Sequence, residues 1–245
     1  MDLEGRIALV TGASRGIGAA IAGRLAEAGA DIAVGYGSDR TSAEERASEL
    51  AELGRRSVAV GGDVGDPAQV SEMVRAAEAE LGSIDILVAN AGVARWQGLE
   101  EISVEDWDET MNVNLRSAFL LAQRLAPGMR ERGWGRVILV SSVAAFTGGI
   151  VGPHYTASKA ALIGLARALA APLAPHGVTV NAVAPALIEE TGMIPGDTDW
   201  GQLSGQVPVG RLGRPEEVAE AVLMLTANPF ITAQTISVDG GLHPR

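Results

Sequence analysis

Seven short apolar runs alternate with six stretches of helical periodicity along this 245-residue chain, and that alternation leaves few folds open. The runs fall at 7–10, 31–34, 57–60, 84–89, 136–140, 178–183 and 235–238, each about the length of one buried strand. Between the first two, Ile17, Ile21, Leu25 and Ala28 repeat at helical spacing and stop at Gly29. Thr41 and Glu44 make a capping-box pattern for a helix ending at Gly54, and Asp66 before Pro67 opens one that runs to Gly82. Ser103 and Asp106 start a helix that continues past Phe119 toward Gly133. Residues 156–170 form another, with Pro172 near its end, and Pro215 opens the last. Strands and helices in strict alternation imply a doubly wound parallel sheet with right-handed crossovers and helices on both faces. With no linker-like segment to divide it, the chain reads as one domain.

Composition narrows the function. Apolar residues make up 47% of the chain but aromatics only 4%, so Ala, Val, Leu and Ile must build the core. The net charge of −11 argues against nucleic acid as a partner, because that footprint should be basic. Zero cysteines exclude disulfides and thiolate metal sites, and no metal is expected. No apolar run approaches the ~20 residues needed to span a bilayer. The opening MDLEGRIALVTG does not resemble a secretory signal, so the expectation is a soluble cytoplasmic protein with no membrane partner.

Three groups of residues carry chemistry. After the first strand comes Thr11-Gly12-Ala13-Ser14-Arg15-Gly16-Ile17-Gly18, leading into a helix. Its glycines permit a tight turn and let a pyrophosphate approach the helix N-terminus, where amide donors and the dipole favour anions. Asp63-Val64 and Asn90-Ala91-Gly92 follow strands three and four, at the strand ends where open α/β sheets bind ligands. Asp63 would hydrogen-bond an adenine amino group or serve as a turn acid, and Asn90 would brace its loop. Tyr155 and Lys159 stand one helical turn apart, thirteen residues beyond Ser142. A free phenol titrates near pH ~10, and an adjacent ammonium favours the phenolate, so the pair forms a proton-transfer device.

Taken together, TGASRGIG, Asn90-Ala91-Gly92, Asn114, Ser142, Tyr155-x-x-x-Lys159 and the closing Val238-Asp239-Gly240-Gly241 resemble the short-chain dehydrogenase/reductase family. The resemblance spans the whole chain and is nearest the branch that includes 3-oxoacyl-thioester reductases. It implies a single Rossmann-like domain over 1–245, with a cofactor half at about 1–135 and a catalytic, substrate-loop half at about 136–245. Tyr155 would exchange a proton with a carbonyl or hydroxyl oxygen, and Ser142 would hydrogen-bond that oxygen. Lys159 would lower the Tyr155 pKa and bind the nicotinamide ribose. Asn114 would hold a water leading to Lys159. Gly12, Ser14, Arg15, Gly16, Ile17, Gly18, Ser38, Asp63, Val64, Asn90, Ala91, Gly92, Tyr155, Lys159, Pro185 and Ile188 would bind the cofactor, Ile188 through its backbone. The rival asparagine is Asn112 and the rival serine Ser141.

NADP(H) is favoured over NAD(H). Tyr36 stands where NAD-preferring relatives carry an acid for the ribose 2′-hydroxyl, and Arg15 and Ser38 would receive a 2′-phosphate. Against this, Gly37 stands where many NADP users have Arg, and Asp39 would swing in on a plain ribose. Other departures are Ala89 before Asn90, Ala186 after Pro185, Thr191 one place late, and Ala233 where glycine is common. Ala186 would narrow the nicotinamide side or alter the entry angle of the following loop. Residues 187–212, with Trp200, would form a substrate lid. Between Ala186 and Val209 the chain has no Lys or Arg, and 168–178 offers only His176, which gives an acidic carrier little to dock on. The remaining basic candidates are Arg124, Arg130 and Arg132.

The expected activity is hydride transfer between nicotinamide and a ketone or secondary alcohol. A 3-oxoacyl thioester is one substrate class, and other ketone, sugar, steroid or polyketide carbonyls are the alternatives. A halohydrin-lyase type is opposed by the glycine loop and Lys159, and a non-catalytic nucleotide-binding protein by the intact set Asn114, Ser142, Tyr155 and Lys159. His154 would be a rim residue without a catalytic role. A homotetramer is expected, with 104–133 and 156–174 as contact surfaces.

Overall fold

The computed structural model describes residues 3–189, 191–192 and 200–243. In chain order the elements are β1 (Ile7–Thr11), α1 (Gly16–Glu27), β2 (Asp31–Tyr36), α2 (Arg40–Glu52), β3 (Ser57–Gly61), α3 (Pro67–Leu81), β4 (Ile86–Ala89) and α4 (Val104–Met111). There follow α5 (Ser117–Glu131), β5 (Gly135–Val140), α6 (Ala144–Thr147), α7 (Pro153–Leu173), β6 (Val178–Pro185), α8 (Trp200–Ser204), α9 (Pro215–Ala227) and β7 (Thr235–Val238). The strands pair in parallel in the order β3-β2-β1-β4-β5-β6-β7, so the seven-stranded doubly wound sheet is as expected.

Period-two alternation sorts the strand side chains between two cores. Ile7 and Leu9 of β1, and Leu87 and Ala89 of β4, face the layer that holds Met73, Leu121, Leu125 and Leu162 from α3, α5 and α7. Ala8, Val10, Ile86 and Val88 face the opposite layer, with Ile21, Leu25, Leu50 and Val222 from α1, α2 and α9. Each fully buried Leu or Ile contributes about 1.5–3 kcal/mol, and aliphatic packing of this kind explains how so few aromatics suffice.

Several boundaries differ from the sequence reading. The cap of α2 is Asp39, whose side chain accepts from Ser42 N at 3.1 Å, so Thr41 is already helical and Glu44 pairs instead with Arg40. The strand expected from 84 begins at Ile86, and α7 begins at Pro153 rather than 156. The long helix expected from Ser103 to Gly133 is interrupted. Residues Asn112–Arg116 form a π-turn, closed by Ser117 N–H donating to Asn112 O. The extra residue turns Asn114 into the interior, where it is 2% exposed.

With the turn that follows it, α7 makes a continuous 24-residue stretch apolar enough by length and composition to cross a membrane. It packs along β5 and β6 and carries Lys159 buried against the sheet, while about a third of the stretch is buried.

Candidate functional site

The strand order reverses between β1 and β4, and the loops leaving those strands part to open a crevice. Asn90 ties them together. Its Nδ2 donates to Thr11 O at 2.9 Å and Gly12 O at 3.2 Å, while the backbone N–H groups of Asn90 and Ala91 both donate to Thr11 Oγ1 at 3.1 Å. The glycine loop needs this tightness: a Cβ on Gly18 would lie 2.1 Å from Gly12 O and 2.6 Å from Asn90 Nδ2. Thr11, missing from the expected site residues, is therefore the post on which both loops hang. Its position ahead of the first glycine was the available signal.

A cleft of about 570 Å³ runs from this point over the ends of β2 and β3. Gly12, Ser14, Arg15, Gly16, Ile17, Gly18, Ser38, Asp63, Val64, Asn90, Ala91 and Gly92 all line it, joined by Tyr36, Asp39, Arg95 and Thr191. The Tyr36 ring lies over Gly61, where a Cβ would meet its Cζ at 2.6 Å. Asp39 is committed to capping α2, and that hydrogen bond lowers its pKa, with Arg15 adding to the effect. The carboxylate expected to swing onto a ribose is thus already engaged. Asp63 Oδ1 likewise accepts from Gly65 N at 2.8 Å and shapes its own turn. A narrow floor of backbone at the N-terminus of α1, with Arg15 as its cation, fits a dinucleotide that carries an additional phosphate.

A second cavity of about 390 Å³ adjoins the first, sharing Ile17, Asn90, Ala94 and Thr191 with it. Ser142, Tyr155 and Lys159 line it together, as do Pro185 and Ile188. Ser142 is at the carboxyl end of β5, where its Oγ accepts from Ala144 N at 3.2 Å. Ser141, the rival serine, instead donates to Lys159 O at 2.7 Å and fixes the helix against the strand. Lys159 Nζ donates to Val140 O at 2.8 Å and lies 5.7 Å from the Tyr155 ring centroid.

Asn114 is held from three sides. Its Oδ1 accepts from Val93 N at 2.7 Å, and its Nδ2 donates to Val93 O at 3.0 Å and Ser158 Oγ at 3.1 Å. A methyl at Gly92 would sit 3.2 Å from Asn114 Oδ1 and 3.4 Å from Lys159 Nζ, so both groups border the same gap. Asn112 points elsewhere, toward Gly65 and Arg116. Ser158 was another omission from the reading. Its Oγ also donates to Tyr155 O at 2.7 Å, and only the folded contact between α7 and the π-turn gives it meaning.

Burial dominates the titration of the pair. It pushes the Tyr155 phenol up, with a hydrogen bond from Ser142 pulling the other way. It also lowers Lys159 from 10.5 to about 8. Lys159, expected from the sequence to lower Tyr155, donates its ammonium hydrogen bond to Val140 O. His154 is another correction. Rather than standing at the rim it is 0% exposed, and burial lowers its pKa.

The stretch after β6 is anchored at both ends. Ile188 forms a parallel bridge with Gly213, through Gly213 N to Leu187 O at 2.9 Å and Glu189 N to Gly213 O at 3.0 Å. Ala186 N donates to Val238 O at 3.1 Å, and the only non-glycine residue with positive φ among those described is Ala233 at 60°. The substitution at Ala186 therefore brings a methyl to the cavity without backbone strain, whereas the one at Ala233 is strained. Residues 190 and 193–199 of the expected lid, and the side chain of Trp200, lie outside the described residues. Leu242, Trp96 and Ile150 line the catalytic cavity and were not foreseen, since no local pattern marks a wall assembled from three distant segments.

Comparisons with known proteins agree with this geometry. A family model described as enoyl-(acyl carrier protein) reductase matches residues 12–243. A 3-oxoacyl-(acyl-carrier-protein) reductase of Vibrio cholerae is 40% identical over 99% of both chains. A 2-dehydro-3-deoxy-D-gluconate 5-dehydrogenase of Dickeya dadantii is 36% identical over 98% of this chain and 96% of its own. Among solved structures, a blue fluorescent protein from a metagenomic library, in complex with NADPH, superposes with a TM-score of 0.92 at 38% identity and 100% coverage of both chains.

Proposed function

The chain belongs to the short-chain dehydrogenase/reductase family, and from that premise we propose that it is an NADP-preferring carbonyl reductase, reversible as a secondary-alcohol dehydrogenase. One observation carries the reading: Ser142, Tyr155 and Lys159 line a cavity that opens directly into the glycine-loop cleft. Nicotinamide supplies or accepts the hydride when bound. Tyr155 gives its phenolic proton to the carbonyl oxygen, and Ser142 donates a hydrogen bond to that same oxygen as its negative charge develops. Lys159, which donates to Val140 O, would hold the ribose, and its charge favours the phenolate that the proton transfer leaves behind. Asn114, fixed by Val93 and Ser158, holds a water at the gap beside Lys159, through which a proton returns from solvent.

Arg15 meets the 2′-phosphate, a reading supported by the engaged Asp39 and the apolar floor at Tyr36. Ser38, which lines the cleft, would add a neutral donor, Asp63 would serve the adenine, and Pro185 and Ile188, which line the cavity, would hold the nicotinamide. The two relatives act, by name, on a carrier-bound 3-oxoacyl thioester and on a sugar acid, so the carbonyl class is taken up separately below.

Assembly into a homotetramer is part of the proposal. Phe119, Ala122, Ala126, Leu169 and Leu173 border an apolar groove between α5 and α7, on the two helices expected to form contacts. The cytoplasm is the proposed compartment, in keeping with the absence of cysteine. The decisive experiment titrates the protein with NADPH and NADH and then follows nicotinamide absorbance across a panel of carbonyls and alcohols. Tighter NADPH binding with turnover of a carbonyl is expected. Failure of both nucleotides to bind overturns the reading, and a sedimentation mass near that of one 25.2 kDa chain removes the tetramer.

A further inference from the structure

The catalytic cavity has an outer wall that the reaction chemistry does not use. Trp96, Val143, Ile150, Val151 and Leu187 line it, together with Leu242 of the C-terminal segment. Among the described lining residues Lys159 is the only charged side chain, and the reaction already employs it. A carboxylate or phosphate bound here would lose its hydration with nothing to replace it.

Leu242 is positioned deliberately. Asp239 organises the turn that carries it: Oδ1 accepts from Gly241 N at 3.0 Å, Oδ2 from His243 N at 3.1 Å, and the backbone carbonyl from Leu242 N at 3.1 Å. The His243 ring then stacks on Phe146 of α6, with centroids 5.5 Å apart and planes within 7°. On the other side the turn is locked to the base of the lid. Val209 N donates to Gly240 O at 3.2 Å, and a Cβ on Gly240 would meet Val209 at 2.4 Å and Val207 at 2.6 Å. Thus the chain's last strand delivers a leucine to the mouth of the site and clamps it between α6 and the lid.

We propose that this wall selects a neutral, apolar ketone or secondary alcohol, and that Leu242 sets how long an apolar substituent the site accepts. The inference rests on the carbonyl-reductase reading and deepens it: an uncharged aliphatic substituent fills the space, and among the described lining residues no cation besides Lys159 faces a carboxylate. Deleting or adding one or two methylenes' worth of wall changes discrimination between neighbouring chain lengths by about tenfold.

The test is a chain-length series of 2-butanone, 2-hexanone, 2-octanone and 2-decanone, reduced with NADPH by the wild type and by Leu242→Ala, Leu242→Met and Leu242→Trp. NADPH affinity and the thermal midpoint are measured alongside. Leu242→Ala is expected to move the optimum in kcat/KM to longer ketones and Leu242→Trp to shorter ones, about tenfold between neighbours and mainly through KM. Leu242→Met should keep the wild-type profile, and NADPH affinity should stay constant throughout. If Leu242→Ala does not fold, the Leu242→Trp shift alone decides. An unchanged profile in the folded variants overturns the inference, as does reduction of a polyhydroxy keto acid in preference to every ketone. Retained NADPH binding with no ketone turned over sinks the substrate class but leaves the oxidoreductase reading standing. Loss of nucleotide binding in the wild type would sink both.

Discussion

The cleft above β1 to β4 and the cavity beside β5 to β7 are neighbours built on opposite principles. The first is made largely of backbone: three glycines at the start of α1, the amides they leave free, and a few side chains such as Asn90 and Thr11 that hold two loops together. The second is made of side chains from separated parts of the chain: Ser142 after β5, Tyr155 and Lys159 on α7, Leu187 after β6 and Leu242 near the end. A phosphate asks the same thing of every protein, a ring of N–H donors and a positive dipole, so a short motif suffices. A carbonyl substrate asks for proton transfer at one atom and a shaped, desolvated wall around the rest. Only the first of those demands leaves a local signature.

The largest effect that would separate the halves is chemical. Tyr155→Phe should lower kcat by roughly 10³-fold or more while NADPH affinity stays near wild type. Retained turnover, or affinity lost in parallel, would mean that the two halves are not independent.

The converse perturbation is Gly18→Ala. Its methyl would have to occupy space 2.1 Å from Gly12 O, so nucleotide affinity should fall by about 100-fold, read by fluorescence titration. Tyr155 chemistry at saturating cofactor should change far less. Arg15→Ala sharpens the picture within the cleft. NADPH should weaken by about tenfold, the worth of a lost charge-assisted hydrogen bond, and NADH hardly at all. Equal losses for both nucleotides would remove Arg15 from the 2′-phosphate.

A pH experiment distinguishes the halves without any substrate. Lys159 titrates at about 8 in the fold against 10.5 ordinarily, so between those values the unfolded chain binds more protons than the folded one. Stability should therefore rise with pH across that window, by roughly 2 kcal/mol between pH 8 and 10. The raised Tyr155 pKa acts in the opposite sense only above its ordinary value of 10. Urea unfolding of the cofactor-free protein should show the slope in wild type and Gly18→Ala but lose it in Lys159→Met. A slope retained in Lys159→Met would place its origin elsewhere. The smallest effect concerns Ala233, at φ 60° just before β7. Ala233→Gly relieves the left-handed strain and should stabilise the chain by up to about 1 kcal/mol, the gain offset in part by glycine's extra freedom when unfolded. A lower thermal midpoint would show that the methyl packs more than it strains.

The legibility of the sequence follows the same division. The strands and the glycine loop depend on near neighbours, and the strands were read with errors of only a few residues. Asn114 was identified but its setting was not: a π-turn in a helix that reads as continuous has no compositional mark, because the distinction lies in one backbone hydrogen bond. His154 was misplaced at the rim since a lone histidine carries no sign of its burial. Lys159 also donates to a main-chain carbonyl of β5, a partner that no side-chain pattern records. Leu242 and the Phe146–His243 stack were invisible for a plainer reason: apolar contacts between remote segments have no spacing rule.

What the sequence determined by itself, then, is the doubly wound frame, the glycine turn after β1 and the placing of Tyr155 and Lys159 one helical turn apart. Strand periodicity, glycine permissiveness and the pKa range of a phenol beside an amine are local properties, written within a few residues. Only the tertiary structure decided that Ser141 is tied to Lys159 O, how Asn114 is aimed, how burial shifts Tyr155 and Lys159, and which residues line the substrate side. Those depend on which surfaces lose water when distant segments meet. Desolvation and packing are set by the fold as a whole.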